Sequence, residues 1–357
     1  MSEIKISDIL KKYKEERDKA RSHRKEGDSK QKAETDQNSV RLASIMNKDT
    51  AQKKDVNIEE LNGMYEQAVS KVKQLYKLQI DTNTDFASWI NPPVEKIADY
   101  LLTGQKDLLK LCLCDYPKEQ NYLYCHPVNV CILSLYIGLD YERSSLLELG
   151  TACLAHDIGI IKYLDLINKP GHLTKEEYVK VKEHSDRGFE ILSKIGKGLS
   201  PFIFDAVRQE HERIDGSGYP KGLKDNQINE YGQIIGLVDV YEALTHSRPY
   251  RDKHTPLETI RIILDNKNTF SNSATKELIE RVGIFPVGIA VQLNTKEIGV
   301  VLKENPKLPL RPVVEILVDA YGNELQTPKQ IDLANNSVVY IEECLEDPRI
   351  NRPNSSS

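Results

Sequence analysis

The spacing of apolar residues changes along the chain, from a helical period before residue 283 to an alternating one after it. In IEELNGMYEQAVSKVKQLYKLQ, apolar residues recur three and four positions apart, at Leu61, Tyr65, Val69, Val72 and Leu75. This spacing predicts a helix with one buried face. The segments GIAVQLNTKEIGVVLKE, PVVEILVDAYGNEL and SVVYIEECL carry alternating or β-branched residues between polar turns. They predict strands, so the expected fold is mainly α with a small C-terminal β module.

Two segments of the helical part also show where helices begin. NPPVEKIADYLL predicts a helix that starts at Pro92 and Pro93, because proline is tolerated in the first turn. LTKEEYVKVKEHSDRGFEIL predicts a single helix, in which Thr174 and Glu177 have the spacing of a capping box.

Composition and charge narrow the classes of partner. The 357 residues are 39% hydrophobic and 29% charged, and the formal net charge is −5 at pH 7, so no basic face for DNA is predicted. The six cysteines form no C-x-x-C pair, which favours reduced thiols. The charged start MSEIKISDILKKYKEERD has no signal-peptide core, and no apolar run has the length of a membrane span. We therefore expect a soluble, cytoplasmic protein.

Histidine and carboxylate residues recur in the helical part in a pattern that suits metal binding. His126 begins one apolar stretch, whereas His156 and Asp157 end another. Asp239 lies inside the apolar segment IIGLVDVYEAL, where an unpaired carboxylate is costly. The candidate metal ligands are His126, His156, Asp157, His184, Glu210, His211 and Asp239.

This donor set of imidazoles and carboxylates favours Fe, Mn or Zn over Mg. The groups are too many for one tetrahedral ion, so we predict two divalent ions, with Asp157 as their shared ligand and the central catalytic residue. Two such ions can hold a hydroxide and stabilise both the attacking and the leaving oxygen at phosphorus. The other histidines have no matching partner in the sequence and are not expected to act as ligands: His23, His172, His246 and His254.

The order of the motifs carries a resemblance to a known family. HDIG, KPGHLTKEEY with VKEHSDRGFEIL, HERIDGSGYPKGL and VDVYEALTHSRPYR follow one another between Tyr122 and Leu264. This series resembles the HD-GYP family of cyclic-di-GMP phosphodiesterases. The resemblance implies a helical HD-type bundle that hydrolyses cyclic di-GMP to pGpG or GMP with a hydroxide activated by two metal ions, Fe or Mn. It also implies phosphate contacts by Arg248 and Arg251, and a pocket rim formed by Gly218, Tyr219 and Pro220.

Three positions depart from the family pattern. Glu210 stands where the family has a ligand histidine, and Ile160 stands where a lysine meets a substrate phosphate. Tyr122 replaces a glutamate found in members with a third metal, so two metals are expected. An alternative therefore remains open, a catalytically weak or inactive domain that binds cyclic di-GMP or partner proteins as a sensor or scaffold.

The same reading divides the chain into segments. The predicted segments are a polar helical or disordered part (1–55), a helical lead-in (56–104), the HD-GYP catalytic-type domain (105–283), the β module (284–346) and a disordered tail (347–357). The expected partners are a cyclic dinucleotide, a cyclase or other signalling protein, and a second copy of the chain docked through the N-terminal helices.

Overall fold

A computed structural model describes most of the chain between residues 58 and 345. The described residues are 58–79, 84–112, 116, 122–169, 171–247, 253–266, 268–305 and 307–345. The predictions for residues 1–55 and 347–357 lie outside them. The described residues form two compact units: Val56–His254 with Asp265–Val282 in one, and Thr255–Leu264 with Gly283 to Leu345 in the other.

The first unit is helical. Its α-helices are α1 Ile58–Tyr76, α2 Phe86–Leu102, α3 Asp107–Cys112, α4 Tyr122–Ile137, α5 Arg143–Ala155, α6 Leu164–Ile167, α7 Lys175–Val181, α8 His184–Ile195, α9 Pro201–Gln209, α10 Glu230–Thr245 and α12 Asn272–Glu277. A 3₁₀ helix, Ile158–Tyr163, follows α5, and one π turn, Leu278–Val282, follows α12. Helix α11, Pro256–Asp265, falls almost entirely in the second unit.

Helix α4 is the centre of the first unit. It is apolar around its whole circumference and is buried from Cys125 to Ile137, as expected for a helix enclosed on all sides. Helices α1, α2, α5 and α10 pack against it. His126, near the start of α4, is thereby carried into the interior of the unit.

The start of α2 differs from the prediction. The helix begins at Phe86, where the Asp85 side chain caps the Ser88 amide, and Pro92 and Pro93 lie inside the helix. Placing the start at the prolines was wrong because an aspartate cap satisfies a free amide of the first turn. That cap fixes the helix start upstream of the prolines.

The segment predicted as one helix from Leu173 to Leu192 is two helices. Helix α7 begins with the predicted capping box, in which Thr174 and Glu177 bond each other's amides, and ends at Val181. Helix α8 begins at His184. The His184 Nδ1 lies 2.8 Å from the Val181 carbonyl, so the imidazole takes an oxygen that a continuous helix would offer to a backbone amide.

The second unit contains the predicted β module. Its strands are β1 Ala290–Leu293, β2 Ile298–Lys303, β3 Val313–Val318, β4 Glu324–Asp332 and β5 Ile341–Leu345, in the order β4-β3-β2-β1-β5. All neighbouring pairs are antiparallel. The inner face is apolar and includes Ala290, Ile298, Val300, Leu317, Val318 and Leu345.

Two turns of the sheet lie where the sequence placed them. The β1–β2 turn uses Lys296 in the left-handed region. The β3–β4 turn uses Gly322 at φ +85, with the Asp319 carboxylate accepting from the Asn323 amide at 2.8 Å. Strand β4 was not predicted, because it is mostly exposed and contains Pro328. Proline is tolerated in it because β4 is an edge strand.

Candidate metal centre

The predicted ligands converge from five parts of the helical unit. His126 comes from α4, His156 and Asp157 follow α5, and His184 begins α8. Glu210 and His211 follow α9, and Asp239 comes from the middle of α10. Residues more than a hundred positions apart in sequence therefore meet in one place.

The ligand atoms form two groups that share Asp157. The first group is His126, His156 and Asp157, and the second is Asp157, His184, Glu210 and His211; within each group all ligand atoms lie within 4.8 Å of one another. Asp157 Oδ1 is 3.4 Å from His184 Nε2, and its Oδ2 is 3.8 Å from His156 Nε2. One carboxylate thus faces both groups, which is the arrangement required of a bridging ligand.

Hydrogen bonds on the far side of the imidazole rings fix which nitrogen faces the centre. His156 Nδ1 lies 2.7 Å from the Cys153 carbonyl, and His184 Nδ1 lies 2.8 Å from the Val181 carbonyl. A carbonyl accepts only, so both Nδ1 atoms carry the proton and donate it. Both Nε2 atoms therefore face the centre, as in histidines that bind a metal.

Glu210 is a carboxylate buried inside the centre. Its exposed fraction is 0%, and neither carboxylate oxygen has a hydrogen-bond partner among the described residues. The nearest ring nitrogens, of His156 and His184, are 3.6 Å away. Burial raises the pKa of Glu210 above its ordinary value, although the two histidines oppose this. A buried charge of this kind is costly unless it is paired or binds a metal, so the donor set fits a divalent cation.

His184 and His211 face each other through their Nε2 atoms at 3.0 Å. Burial alone would lower the pKa of His184, but the carboxylates of Glu210 and Asp157 outweigh it and raise the pKa to about 9. Burial, followed by the charge on His184, lowers the pKa of His211 to about 3. The pair therefore holds one proton between two lone pairs. A metal ion binding both nitrogens would replace that proton.

Asp239 lies beside the first group. Its Oδ1 is 3.0 Å from His126 Nε2, and its Oδ2 is 3.9 Å from His211 Nδ1. Burial would raise the pKa of Asp239, but the bond to His126 and the charges of the neighbouring histidines lower it below its ordinary value. Asp239, predicted as a ligand, thus contacts one histidine of each group but belongs to neither group.

Glu242 supports the centre and was missed by the sequence analysis. Its Oε2 bonds His126 Nδ1, and its Oε1 accepts from Asn129 Nδ2 at 2.8 Å and from the Tyr116 hydroxyl at 2.6 Å. The spacing could have shown it, because Glu242 is three positions after Asp239 and on the same helix face. His246, expected to lack a partner, is buried with its Nδ1 2.9 Å from the Glu242 carbonyl.

The predicted rim loop is held against the ligands. The Tyr219 ring stacks on the His211 ring at 4.7 Å, and the Tyr219 amide donates to the His211 carbonyl at 3.1 Å. A Cβ on Gly218 would lie 2.4 Å from that same carbonyl, so only glycine fits there. The buried Glu212 carboxylate accepts from the amides of Lys221 and Leu223. The glycine-rich loop therefore folds back onto the end of the helix that delivers Glu210 and His211.

Of the positions expected to meet phosphate, the structure describes only position 160. Ile160 is buried, with 5% of its surface exposed, and Arg248 and Arg251 lie outside the described residues. Lys182, in the break between α7 and α8, places its Nζ 4.9 Å from the centre of the Tyr219 ring and 4.8 Å from that of Tyr178. A cation thus lies at the rim, although no cation stands at position 160.

Comparisons with known proteins show which family models and which fold this chain resembles. Residues 121–272 match the family model described as HD domain, and residues 290–352 match the one described as KOW domain associated with HD domain. A solved HDG"Y"P protein from Bdellovibrio bacteriovorus has a similar fold, with a TM-score of 0.52 over 68% of this chain and 76% of its own, at 14% identity.

Curated relatives point to the same family. A cyclic di-GMP phosphodiesterase from Pseudomonas aeruginosa is 34% identical over 67% of this chain and 57% of its own. A 3'3'-cGAMP-specific phosphodiesterase from Vibrio cholerae is 35% identical over 37% of this chain and 30% of its own. The chain thus spans little more than half of the first relative and about a third of the second.

Residues 121–272 match the HD domain model, and the curated relatives of the chain are named cyclic di-GMP or 3'3'-cGAMP phosphodiesterases. The resemblance stated from the sequence is confirmed, as is the mainly helical fold with a small antiparallel sheet. No helix in the described ranges is long and apolar enough to cross a membrane.

Proposed function

We propose that this protein is a metal-dependent phosphodiesterase that hydrolyses cyclic di-GMP to pGpG or GMP. The observation that carries the proposal is the shared carboxylate of Asp157, which faces two groups of ligand atoms. A site built around one shared carboxylate suits a pair of ions, as in two-metal phosphoester hydrolysis. The relatives named for cyclic di-GMP and 3'3'-cGAMP supply the substrate class.

Two divalent ions, Fe or Mn, suit this donor set. His126, His156 and Asp157 would hold one, and Asp157, His184, Glu210 and His211 would hold the other. When bound, such ions lower the pKa of water and offset the charge of a phosphate. The chain itself orients the imidazoles through the Cys153 and Val181 carbonyls and through Glu242.

The charge balance makes nearby cations important for substrate binding. Two dications bring four positive charges, and four carboxylates stand against them: Asp157, Glu210, Asp239 and Glu242. No excess positive charge then remains to attract a phosphodiester. Lys182 is the cation that the described residues place at the rim beside Tyr219. We assign it the phosphate contact that Ile160 does not provide.

A second function is favoured by Ile160. Because this buried residue stands where the active family has a lysine, substrate capture is weakened while the ligand groups stay intact. The chain would then bind cyclic di-GMP as a sensor, or hold partner proteins, and turn the nucleotide over slowly or not at all.

Product analysis on metal-loaded protein separates the two functions. The purified chain is loaded with Mn or with Fe(II), given cyclic di-GMP or 3'3'-cGAMP, and the products are separated by chromatography. Asp157→Asn, which keeps the shape of the bridging side chain, is the matched control. Turnover to pGpG or GMP that Asp157→Asn abolishes supports the enzyme. Tight binding of cyclic di-GMP without turnover supports the sensor, and neither binding nor turnover contradicts both.

A further inference from the structure

Tyr76 is the last residue of α1 and carries a phenolic hydroxyl. Its side chain is buried, with 6% of its surface exposed. The hydroxyl has no hydrogen-bond partner among the residues that the structure describes. The ring lies edge-on to Tyr124, with the ring centres 6.1 Å apart. A buried hydroxyl without a partner is costly.

The helix that carries Tyr76 packs against elements that carry the metal ligands. Helix α1 packs on α4, which carries His126, and on the 3₁₀ helix that follows Asp157. Burial raises the pKa of Tyr76 well above its ordinary value, and the charges of Asp157 and Glu210 raise it further. The phenol therefore keeps its proton and can donate it in a hydrogen bond.

No acceptor among the described residues bonds the Tyr76 hydroxyl. Neither Glu210 oxygen is bonded to the hydroxyl, since these oxygens also lack partners. A metal cation takes up lone pairs and does not accept a hydrogen bond. A phosphate oxygen beside the ions is an acceptor of the right kind, and a hydrogen bond to a charged group is stronger than one between neutral groups.

We propose that the Tyr76 hydroxyl donates a hydrogen bond to a phosphate oxygen of the substrate at the metal centre. The identity of that substrate rests on the proposed function. A helix that precedes the matched HD domain, residues 121–272, then contributes a substrate contact. Helix α1 becomes part of the active site.

The chain offers a matched control in Tyr100. Its hydroxyl is also buried without a partner among the described residues, but the charged groups that act on it are Asp107 and Glu60, outside the centre. Tyr76→Phe and Tyr100→Phe both remove a hydroxyl that has no partner among the described residues, although the Tyr100 side chain as a whole is only half-buried. Any effect of losing a buried hydroxyl in general appears in both variants.

The test measures phosphate binding as well as turnover. Metal-loaded parent, Tyr76→Phe and Tyr100→Phe are titrated with inorganic phosphate and with GMP by calorimetry, and metal content is measured by elemental analysis. We expect Tyr76→Phe to bind both probes about ten-fold to a hundred-fold more weakly, as for loss of a hydrogen bond to a charged group. Metal content should be unchanged, and Tyr100→Phe should match the parent. kcat/KM for cyclic di-GMP should fall by a similar factor in Tyr76→Phe only.

Three results overturn the proposal. If Tyr76→Phe binds phosphate and GMP as tightly as the parent does, the Tyr76 hydroxyl does not donate to the phosphate. Loss of metal in Tyr76→Phe means that the hydroxyl serves the ligands instead. An equal loss of binding in Tyr100→Phe shows a general packing effect. If the parent hydrolyses no cyclic dinucleotide, the proposed function fails, but the phosphate titration still decides the role of Tyr76.

Discussion

The two ligand groups of the metal centre are supported differently. In the first group, His126 is held by the Glu242 carboxylate, and Glu242 is itself held by Asn129 and Tyr116. In the second group, His184 is held by a backbone carbonyl, while the oxygens of Glu210 have no hydrogen-bond partner among the described residues. Side-chain bonds therefore preform the first group, whereas the buried carboxylate of Glu210 in the second has no such bond. We expect the two groups to differ in how strongly they depend on metal.

Removing the shared ligand Asp157 should disrupt both ligand groups and have the largest effect. Asp157→Ala takes one carboxylate from both groups, so we expect both ions to be lost and phosphodiesterase activity to fall to background. Elemental analysis of the purified variant against the parent measures this directly. Equal metal content in the two proteins would contradict the bridging role of Asp157.

Glu210 should separate the two groups. Glu210→Ala is expected to remove the ion of the second group and leave that of the first, giving about half the parent metal content. Glu210→His, which restores the family residue, should keep two ions and shift preference towards softer metals. Unchanged metal content and activity in Glu210→Ala would make Glu210 a packing residue only.

The same residue makes a prediction about metal removal. In metal-free protein, Glu210→Gln removes a buried carboxylate that has no hydrogen-bond partner among the described residues. The free energy of unfolding should therefore increase. A gain of about 1 kcal/mol raises the Tm by roughly 2–4 °C for a domain of this size. Thermal melts with a chelator give the measurement. With metal bound, the parent should have the higher Tm, because only the parent binds the metal with the full set of ligands.

A substitution of Glu242 tests the first group, because Glu242 holds the ligand His126 through its Nδ1. Glu242→Gln keeps the shape but weakens the hold on His126, so metal affinity at the first group should fall about ten-fold to a hundred-fold. The second group should keep its affinity. Metal titration of the variant checks both at once, and Glu258→Gln on α11, in the other compact unit, is the control. An equal loss at both groups would show that the two are not supported independently.

The sequence predicted the ligands better than their supports. The residues His126, His156, Asp157, His184 and His211 could be picked out because their motifs follow one another in a specific order. Glu242 was missed because its role depends on how α10 faces α4, which sequence spacing alone does not fix. The absence of a hydrogen-bond partner at Glu210 is likewise a property of packing, since a carboxylate at a helix end is normally solvated.

The same limit explains the errors in the fold. Helices were recognised from their apolar period, and the hairpin turns from Asn294–Lys296 and Gly322–Asn323. The break between α7 and α8 was missed because it depends on a side chain bonding the Val181 carbonyl. Strand β4 was missed because an exposed edge strand carries little apolar alternation. Each error concerns an interaction that only the folded chain brings together.

The smallest expected effects concern the rim beside the second group. Lys182→Gln removes the cation above Tyr219, and we expect the KM for cyclic di-GMP to rise about ten-fold at low salt. The loss should shrink as salt screens the charge. Lys180→Gln, at an exposed position of α7, should leave KM unchanged.

The opposite change, Ile160→Lys, adds a cation at the family position and should lower KM by a similar factor, most clearly in the Lys182→Gln background. Ile160 is buried, so a thermal melt must show that the variant folds. A folded, metal-loaded Ile160→Lys without any gain at low salt would mean that this pocket does not receive phosphate as the family does.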